Sequence, residues 1–344
     1  MSRNASAPRR PVVMTDVARL AEVSHQTVSR VLNGHPSVAP RTRARVWEAI
    51  ERLDYRPNSA ARALVTRRTG GIGVISPVTT LHGPARTLYG IEQAARGSGH
   101  FISVARVEDV EGETMRRAVR RLGEQFVDGI IVIAPHQAAV EALRRTPSRL
   151  PLVVVESGEG GERPVVCVDQ FDGAGAVTRH LLERGASTVW HLAGPEDWWE
   201  ARQRLAGWRD ELSRHRRSTP EVLFGDWSPD SGYANGLALA ERVGTGAVFV
   251  ANDQMALGVL RAFHERGLRV PEDVLVAGFD DVPESAYFTP SLTTVRQDFD
   301  AVGRSAMELL LQRIEGAEHP EARVVVPPEL VVRQSTDLSS IHRT

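Results

Sequence analysis

Ser24, His25, Gln26, Thr27 and Arg30 gather polar and basic side chains into a few positions of the segment MTDVARLAEVSHQTVSRVLNG, residues 14–34. Glutamine can pair with adenine and arginine with guanine through two hydrogen bonds, each pair discriminating by about 1–3 kcal/mol. Such groups read bases only if one helix face carries them while an apolar face holds the helix down. The spacing supplies both. Val17, Ala18 and Ala21 recur at helical intervals behind a candidate cap at Thr15, the run stops at Glu22-Val23, and Ser24 offers a fresh cap. The second segment buries Val28, Val31 and Leu32 and turns His25, Gln26, Thr27 and Arg30 outward, with Asn33-Gly34 as a left-handed stop. Two short helices across a tight turn, the second polar and basic, have the shape that enters a DNA major groove, where residues near the helix N-terminus meet base edges first. Gln26 and Arg30 are the principal candidates, with His25 beside them.

A third helix is expected from Pro40, a favoured first-turn residue, to Leu53, burying Val46, Ala49, Ile50 and Leu53. Arg41, Thr42, Arg43 and Arg45 then stand where phosphates could be met. Helix pairs with polar faces are common in helical proteins, so the pattern alone leaves DNA binding undecided. Charge decides it. Residues 1–68 hold 13 Arg against five Asp and Glu, a net of +8, whereas the whole chain is −1 and the remainder therefore −9. A basic module on an acidic body points to a nucleic-acid partner for the module.

The body carries a second set of chemically competent groups. IGVIS (72–76), FISVA (101–105), GIIVI (129–133), LVVVE (152–156), TVWHLA (188–193), GAVFV (246–250) and VLVAG (274–278) read as buried parallel strands separated by amphipathic segments. That alternation predicts two doubly wound α/β lobes, with ligand chemistry at strand carboxyl ends facing a cleft. Glu156, Asn252 and Asp280 fall at or just after such ends. Arg204, near the start of a helix, can donate a fork of hydrogen bonds to vicinal hydroxyls, and Trp227 offers an aromatic face to the C–H side of a pyranose. An Asp at a strand end also caps loops, and a Trp is more often core, so single residues decide little.

With 344 residues the chain fits a small headpiece plus a larger two-lobed body. The lone Cys167 precludes an internal disulfide and suits a reducing cytoplasm. The first dozen residues lack an apolar core of the kind a secretion signal needs, and no apolar run approaches the roughly 20 residues of a membrane span. Neither a nucleophile elbow, a metal-ligand cluster nor a phosphate loop is present, so an enzyme is disfavoured and no cofactor or metal is expected.

DVARLAEVSHQTVSRVLNG, VAPRTRARVWEAIERLDYRPN and SAARALVTRR together resemble the DNA-binding headpiece of the lactose/galactose repressor family of bacterial transcription regulators, in order and without gaps over about fifty positions. One departure is Glu22, where the family usually has Gly in the turn. LAGP (192–195), RLAGW (204–208), GDWS (225–228), VANDQMALG (250–258), FDD (279–281) and LTTVRQDF (292–299) extend the resemblance over nearly the whole chain, toward the family's lactose-type members. The resemblance implies an all-α helix-turn-helix headpiece on a body of the periplasmic-binding-protein type. It implies that Asn58 to Val65 form a hinge helix that pairs with a second copy in the minor groove, with Ala61 permitting close approach and Leu64 as the wedge. Read without it, this stretch is an ordinary linker when DNA is absent, since so short a helix nucleates poorly.

The resemblance further implies that Arg204, Asn252 and Asp280 hold sugar hydroxyls and that Trp227, Gln297 and Phe299 line the sugar. Pro77, Ile133 and Glu156 depart from the lactose-type pattern of Ser, Asn and Asp, remodelling one end of the pocket, while Trp198-Trp199 add aromatic surface near its mouth. His82 and Glu284 match a His and an Asp on opposite lobes, a pair that could bias lobe closure or equally be solvated. The expected organisation is an arm (1–12), a DNA-binding domain (13–57), a hinge and linker (58–69), a ligand-binding and dimerisation body (70–338) and a tail (339–344). The expected function is a cytoplasmic homodimeric repressor on a pseudo-palindromic operator, released by a β-galactoside or related disaccharide. A dimer rather than a tetramer is expected, because SSIHRT closes the sequence without a leucine heptad. A corepressor-driven regulator and a solute-binding protein without a DNA role are the alternatives.

Overall fold

The computed structural model describes residues 12–32, 35–55, 68–108, 112–155, 163–244, 246–317 and 323–338. The chain divides into two compact units, residues 1–69 and 70–344.

The first unit packs α1 (Met14–Leu20), α2 (His25–Leu32) and α3 (Pro40–Leu53) around Val17, Val28, Val31, Val46, Ile50 and Tyr55. Helical spacing of apolar residues puts all three stripes on this core. Thr15 is not the cap of α1. Val13 holds that position, and its N–H donates to Asp16 Oδ2 at 3.1 Å, so the acid of the first turn does the capping. Ser24 does cap α2, its Oγ accepting from the Thr27 N–H at 3.1 Å. Leu53 is half-buried rather than core.

The second unit holds two parallel sheets. In the first lobe β1 (Gly71–Pro77), β2 (Phe101–Val107), β3 (Gly129–Ile133), β4 (Leu152–Val155), β5 (Val165–Val168) and β11 (Arg323–Val326) lie in the order β11-β5-β4-β3-β1-β2. Helices α4 (His82–Gly97) and α11 (Phe299–Ile314) cover one face, and α5 (Gly112–Glu124) and α6 (Gln137–Arg144) the other. In the second lobe β6 (Val189–Ala193), β7 (Leu223–Phe224), β8 (Ala247–Val250) and β9 (Leu275–Ala277) run β7-β6-β8-β9. There α7 (Gln170–Glu183) and α8 (Trp199–Arg214) face α9 (Pro229–Ala240) and α10 (Asp253–Glu265) across the sheet.

Several strands lay below the threshold of the sequence pattern: β5, β7, β11, and the antiparallel pair β10 (Thr294–Arg296) and β12 (Glu329–Val331). They are two to four residues long and carry no sustained periodicity. β2 is an edge strand with Phe101 and Val104 exposed, not the fully buried strand that FISVA suggests. The lobes are not contiguous in sequence. The chain passes between them at Asp169-Gln170, at Gln297-Asp298 and at Pro327-Pro328. Both sheets reverse their winding beside their first strand, which places the ends of β1 and β3 opposite the ends of β6 and β8, the location where doubly wound folds bind ligands.

Candidate functional site

On the first unit, His25, Gln26 and Arg30 are exposed on α2 and Thr27 is half-buried. The Ser24 and Thr27 hydroxyls lie 2.9 Å apart, so both groups are partly committed to starting the helix. Arg41 is exposed and Thr42 half-buried at the start of α3. Arg43 is drawn inward, its Nη2 donating to the His35 carbonyl at 3.1 Å, and Arg45 approaches the Glu22 carboxylate at 3.9 Å. Glu22 adopts φ +53°, the left-handed conformation that glycine takes at no steric cost. Asn33, Asn58, Ala61 and Leu64 lie outside the described residues, as does Glu156 in the body.

In the body, Arg204, Trp227, Asn252, Asp280, Gln297 and Phe299 line one cavity between the lobes. Arg204 is held on every side. Its Nε donates to Gln170 Oε1 at 2.8 Å, its Nη1 to the Ala251 carbonyl, and its Nη2 lies 3.5 Å from Asp280 Oδ1. The guanidinium lies over the Phe279 ring, 3.9 Å from its centre, so its plane is fixed before any ligand arrives. Gln170 Nε2 donates to Gln297 Oε1 at 2.7 Å, and Gln297 Nε2 donates to Asp280 Oδ1 at 2.7 Å. A directional ring of hydrogen bonds therefore runs Arg204, Gln170, Gln297, Asp280. Gln170 and Gln297 stand where the chain crosses between lobes, so the groups that can grip a ligand are wired to the hinge.

Burial pushes the Asp280 carboxyl above its ordinary range, and Arg204, then His82, pull it back. Asp253, one residue into α10, is fully buried. Desolvation and then the neighbouring Asp280 raise its pKa well above the usual carboxylate range, while Thr294 Oγ1 (2.6 Å) and the Val282 N–H (2.9 Å) donate to it. Asp281, despite its burial, is held below its ordinary value by Arg333 and Arg296. Asp280 lies on the cavity wall with the Arg204 guanidinium beside it.

Asn252 caps α10, its Oδ1 accepting from the Met255 N–H at 2.9 Å, while its Nδ2 donates to the Trp227 carbonyl at 3.1 Å. Capping and cavity lining coincide in this residue. Trp227 sits at φ +73° and is 6% exposed; its ring packs on Gly194, where a Cβ would come within 2.1 Å of it. The Trp227 indole N–H has no acceptor among the described residues. A buried donor without a partner costs about 1–3 kcal/mol, which a ligand oxygen would recover.

His82 also lines the cavity and stands edge-on to Phe299 at 5.9 Å. Glu284 is exposed on the 3-10 helix Pro283–Tyr287, and no ion pair joins it to His82 among the described residues. Ile133 is buried in the sheet core and Pro77 closes β1, so neither offers a polar group to the cavity. The sequence reading missed Gln170 and Glu200, both buried on the cavity wall. VVCVDQ carried the signal for Gln170, an apolar run ending at a polar pair. Glu200 has no such signal, because its place depends on the rotation of α8.

The cavity, partly open to solvent, has a volume of about 50 Å³. Pockets that take small molecules begin at roughly 300 Å³, so a ligand of that size needs the lobes or their side chains to move apart. No described helix is long and apolar enough to cross a membrane, and no cluster of three metal-ligating side chains occurs among the described residues.

The profile of the bacterial regulatory proteins of the lacI family matches residues 13–58, and that of a periplasmic binding protein-like domain matches residues 178–336. The chain is 37% identical over 333 residues to the lactose operon repressor of Klebsiella pneumoniae, spanning 95% of this chain and 93% of that protein. It is 34% identical over 329 residues to the HTH-type transcriptional repressor PurR of Aliivibrio fischeri, spanning 93% and 97%. Among solved structures, the lac repressor dimer bound to operator and the anti-inducer ONPF superposes with a TM-score of 0.83 at 35% identity, over 95% of this chain and 99% of that one. A CelR–cellobiose complex superposes at 0.70 and 32% identity, over 95% and 100%.

Proposed function

Because this chain belongs to the lacI family of bacterial regulatory proteins, DNA-binding repressors with a small-molecule effector, we propose that it is a homodimeric repressor of sugar-utilisation genes released from its operator by a short saccharide. The reading is carried by the fixed Arg204–Asp280 pair beside the unpartnered Trp227 N–H. A guanidinium and a carboxylate on one wall can bracket vicinal hydroxyls, the first donating and the second accepting, while an indole covers the apolar ring face. A β-galactoside or a related disaccharide suits these groups. The likeness to lactose repressors and to a cellobiose-bound regulator supports the same class.

Gln26 and Arg30 of α2 read bases in each half-site, and two-fold symmetry of the dimer is mirrored in the operator. By linkage, the saccharide binds the operator-free form more tightly than the bound form, and each occupant weakens the other by the same factor. Footprinting upstream of the neighbouring genes, followed by gel-shift titration with lactose, allolactose and cellobiose, tests the reading. Release by one sugar is expected. Operator affinity unchanged by every sugar refutes the inducer, and tighter binding with ligand means a corepressor.

A further inference from the structure

Away from the Arg204–Asp280 network, the lobes also meet at the mouth of the cleft. His136, just beyond β3 in the first lobe, forms an isolated antiparallel bridge with Trp198, the residue before α8 in the second. The Trp199 N–H donates to the Pro135 carbonyl at 2.9 Å. His136 Nδ1 lies 3.2 Å from Asp197 Oδ2, and its ring stands edge-on to Trp198 with centres 4.6 Å apart.

Two tryptophans make this more than a grazing contact. Trp199 belongs to the second lobe, yet its half-buried side chain packs against the core of the first. A tryptophan has about 150–250 Å² to bury, and the half that Trp199 buries helps to fasten one lobe to the other. Trp198 packs into the core of its own lobe, lines the cavity, and stands edge-on to Trp227 at 5.6 Å. Both segments follow strands that flank the switch points, so they lie across the ends where ligands bind. Behind them the cavity offers only about 50 Å³, less than a pyranose needs.

We propose that Pro135–His136 and Asp197–Trp199 form a strap that gates the cleft: it must part before a saccharide reaches Arg204 and Asp280, and Trp198, shared by strap and cavity wall, links ligand contact to its release. A strap that holds the empty cleft shut lowers apparent affinity by the fraction of time the cleft is open. Weakening it therefore raises both association rate and apparent affinity, and locking it excludes ligand. The nature of the ligand rests on the sugar reading above; the strap itself does not.

The test is a His136→Cys, Trp198→Cys double variant of the full chain. Directly opposed antiparallel residues have Cα atoms about 4.5–5.5 Å apart, within disulfide reach, and the native Cys167 is buried. Mild oxidation of the folded protein is expected to remove two free thiols, and failure to form the bond overturns the strap. Lactose, allolactose and cellobiose are then titrated into the same variant oxidised and reduced. Binding by the reduced form, weakened by the loss of Trp198 from the cavity wall, and none by the oxidised form is expected; equal binding by both overturns the gate.

Asp197→Asn, at a side chain 70% exposed, leaves the fold alone and should raise the association rate of the same sugars by up to about fivefold. If no form binds any of these sugars, the saccharide reading fails. The gate is then judged without ligand by small-angle scattering of Trp199→Ala, which should show a wider body than the oxidised double variant. Identical profiles overturn it.

Discussion

Gly194→Ala tests the candidate sugar platform without touching a polar group. A Cβ at this position would lie 2.1 Å from Cη2, 2.3 Å from Cζ2 and 2.6 Å from Cζ3 of Trp227. Carbon pairs rest at about 3.5–4.0 Å, so the indole must retreat by more than about 1 Å. It has little room, being 6% exposed, in edge contact with Trp198, and on a backbone at φ +73°. Overpacking of this kind costs about 1–3 kcal/mol of stability. Displacing the ring from the ligand removes both the stacked face and the indole N–H donor. That loss is worth about 1–3 kcal/mol, or about 5- to 150-fold in sugar affinity. Calorimetric titration with the sugar that releases the operator, alongside thermal unfolding, gives both quantities, and tryptophan emission reports whether the ring has moved. Parental affinity together with parental unfolding would refute the placement of Trp227 against Gly194 and with it the platform.

Glu22→Gly should stabilise the first unit by up to about 1 kcal/mol, seen as an upward shift of its unfolding transition, because the substitution removes left-handed strain and forfeits only an exposed ion pair with Arg45. Gln26→Ala and Arg30→Ala should each cost about 1–3 kcal/mol of operator binding and relax preference at one base pair, whereas Arg41→Ala should weaken all sequences alike and lower the salt slope by about one, measured by anisotropy across a salt series. His191 is wholly buried, its Nδ1–H donates to the Phe249 carbonyl at 2.9 Å, and desolvation depresses its pKa from 6.5 to about 3. The unfolded chain thus takes up a proton that the native protein refuses, so stability present above about pH 6.5 is lost toward pH 3 at up to about 1.4 kcal/mol per pH unit. Urea unfolding between pH 7 and 4 should show a shallower acid limb for His191→Phe; an unchanged slope would assign the acid sensitivity elsewhere.

Much of the first unit was legible because its signals are local. Helix periodicity, the Ser24 cap and Pro40 at the start of α3 each act within a turn of the residue that carries them, so they survive being read one residue at a time. The same holds for the long apolar strands and for the polar groups that follow them, among them Asn252 and Asp280, which the fold brings to one cavity with Arg204 and Trp227. Thr15 shows the limit of such reading: capping needs a side-chain oxygen at the right place on the helix, and a start two residues earlier handed the task to Asp16.

What only the tertiary structure decided depends on residues far apart in the chain. β5 and β11 pair 158 residues apart in register, Val165 with Arg323, and their shortness hides them until the sheet exists. Gln170 and Gln297 become one element of the site because two crossings between lobes run side by side, a pairing that the local sequence around neither residue shows. His136 and Trp198 meet because two sheets are wound alike and set end to end. Residue types and local spacing determined which groups are available for base reading and for gripping hydroxyls. Chain crossing and lobe closure determined which of them touch, because contact between distant segments is fixed by packing and not by sequence interval.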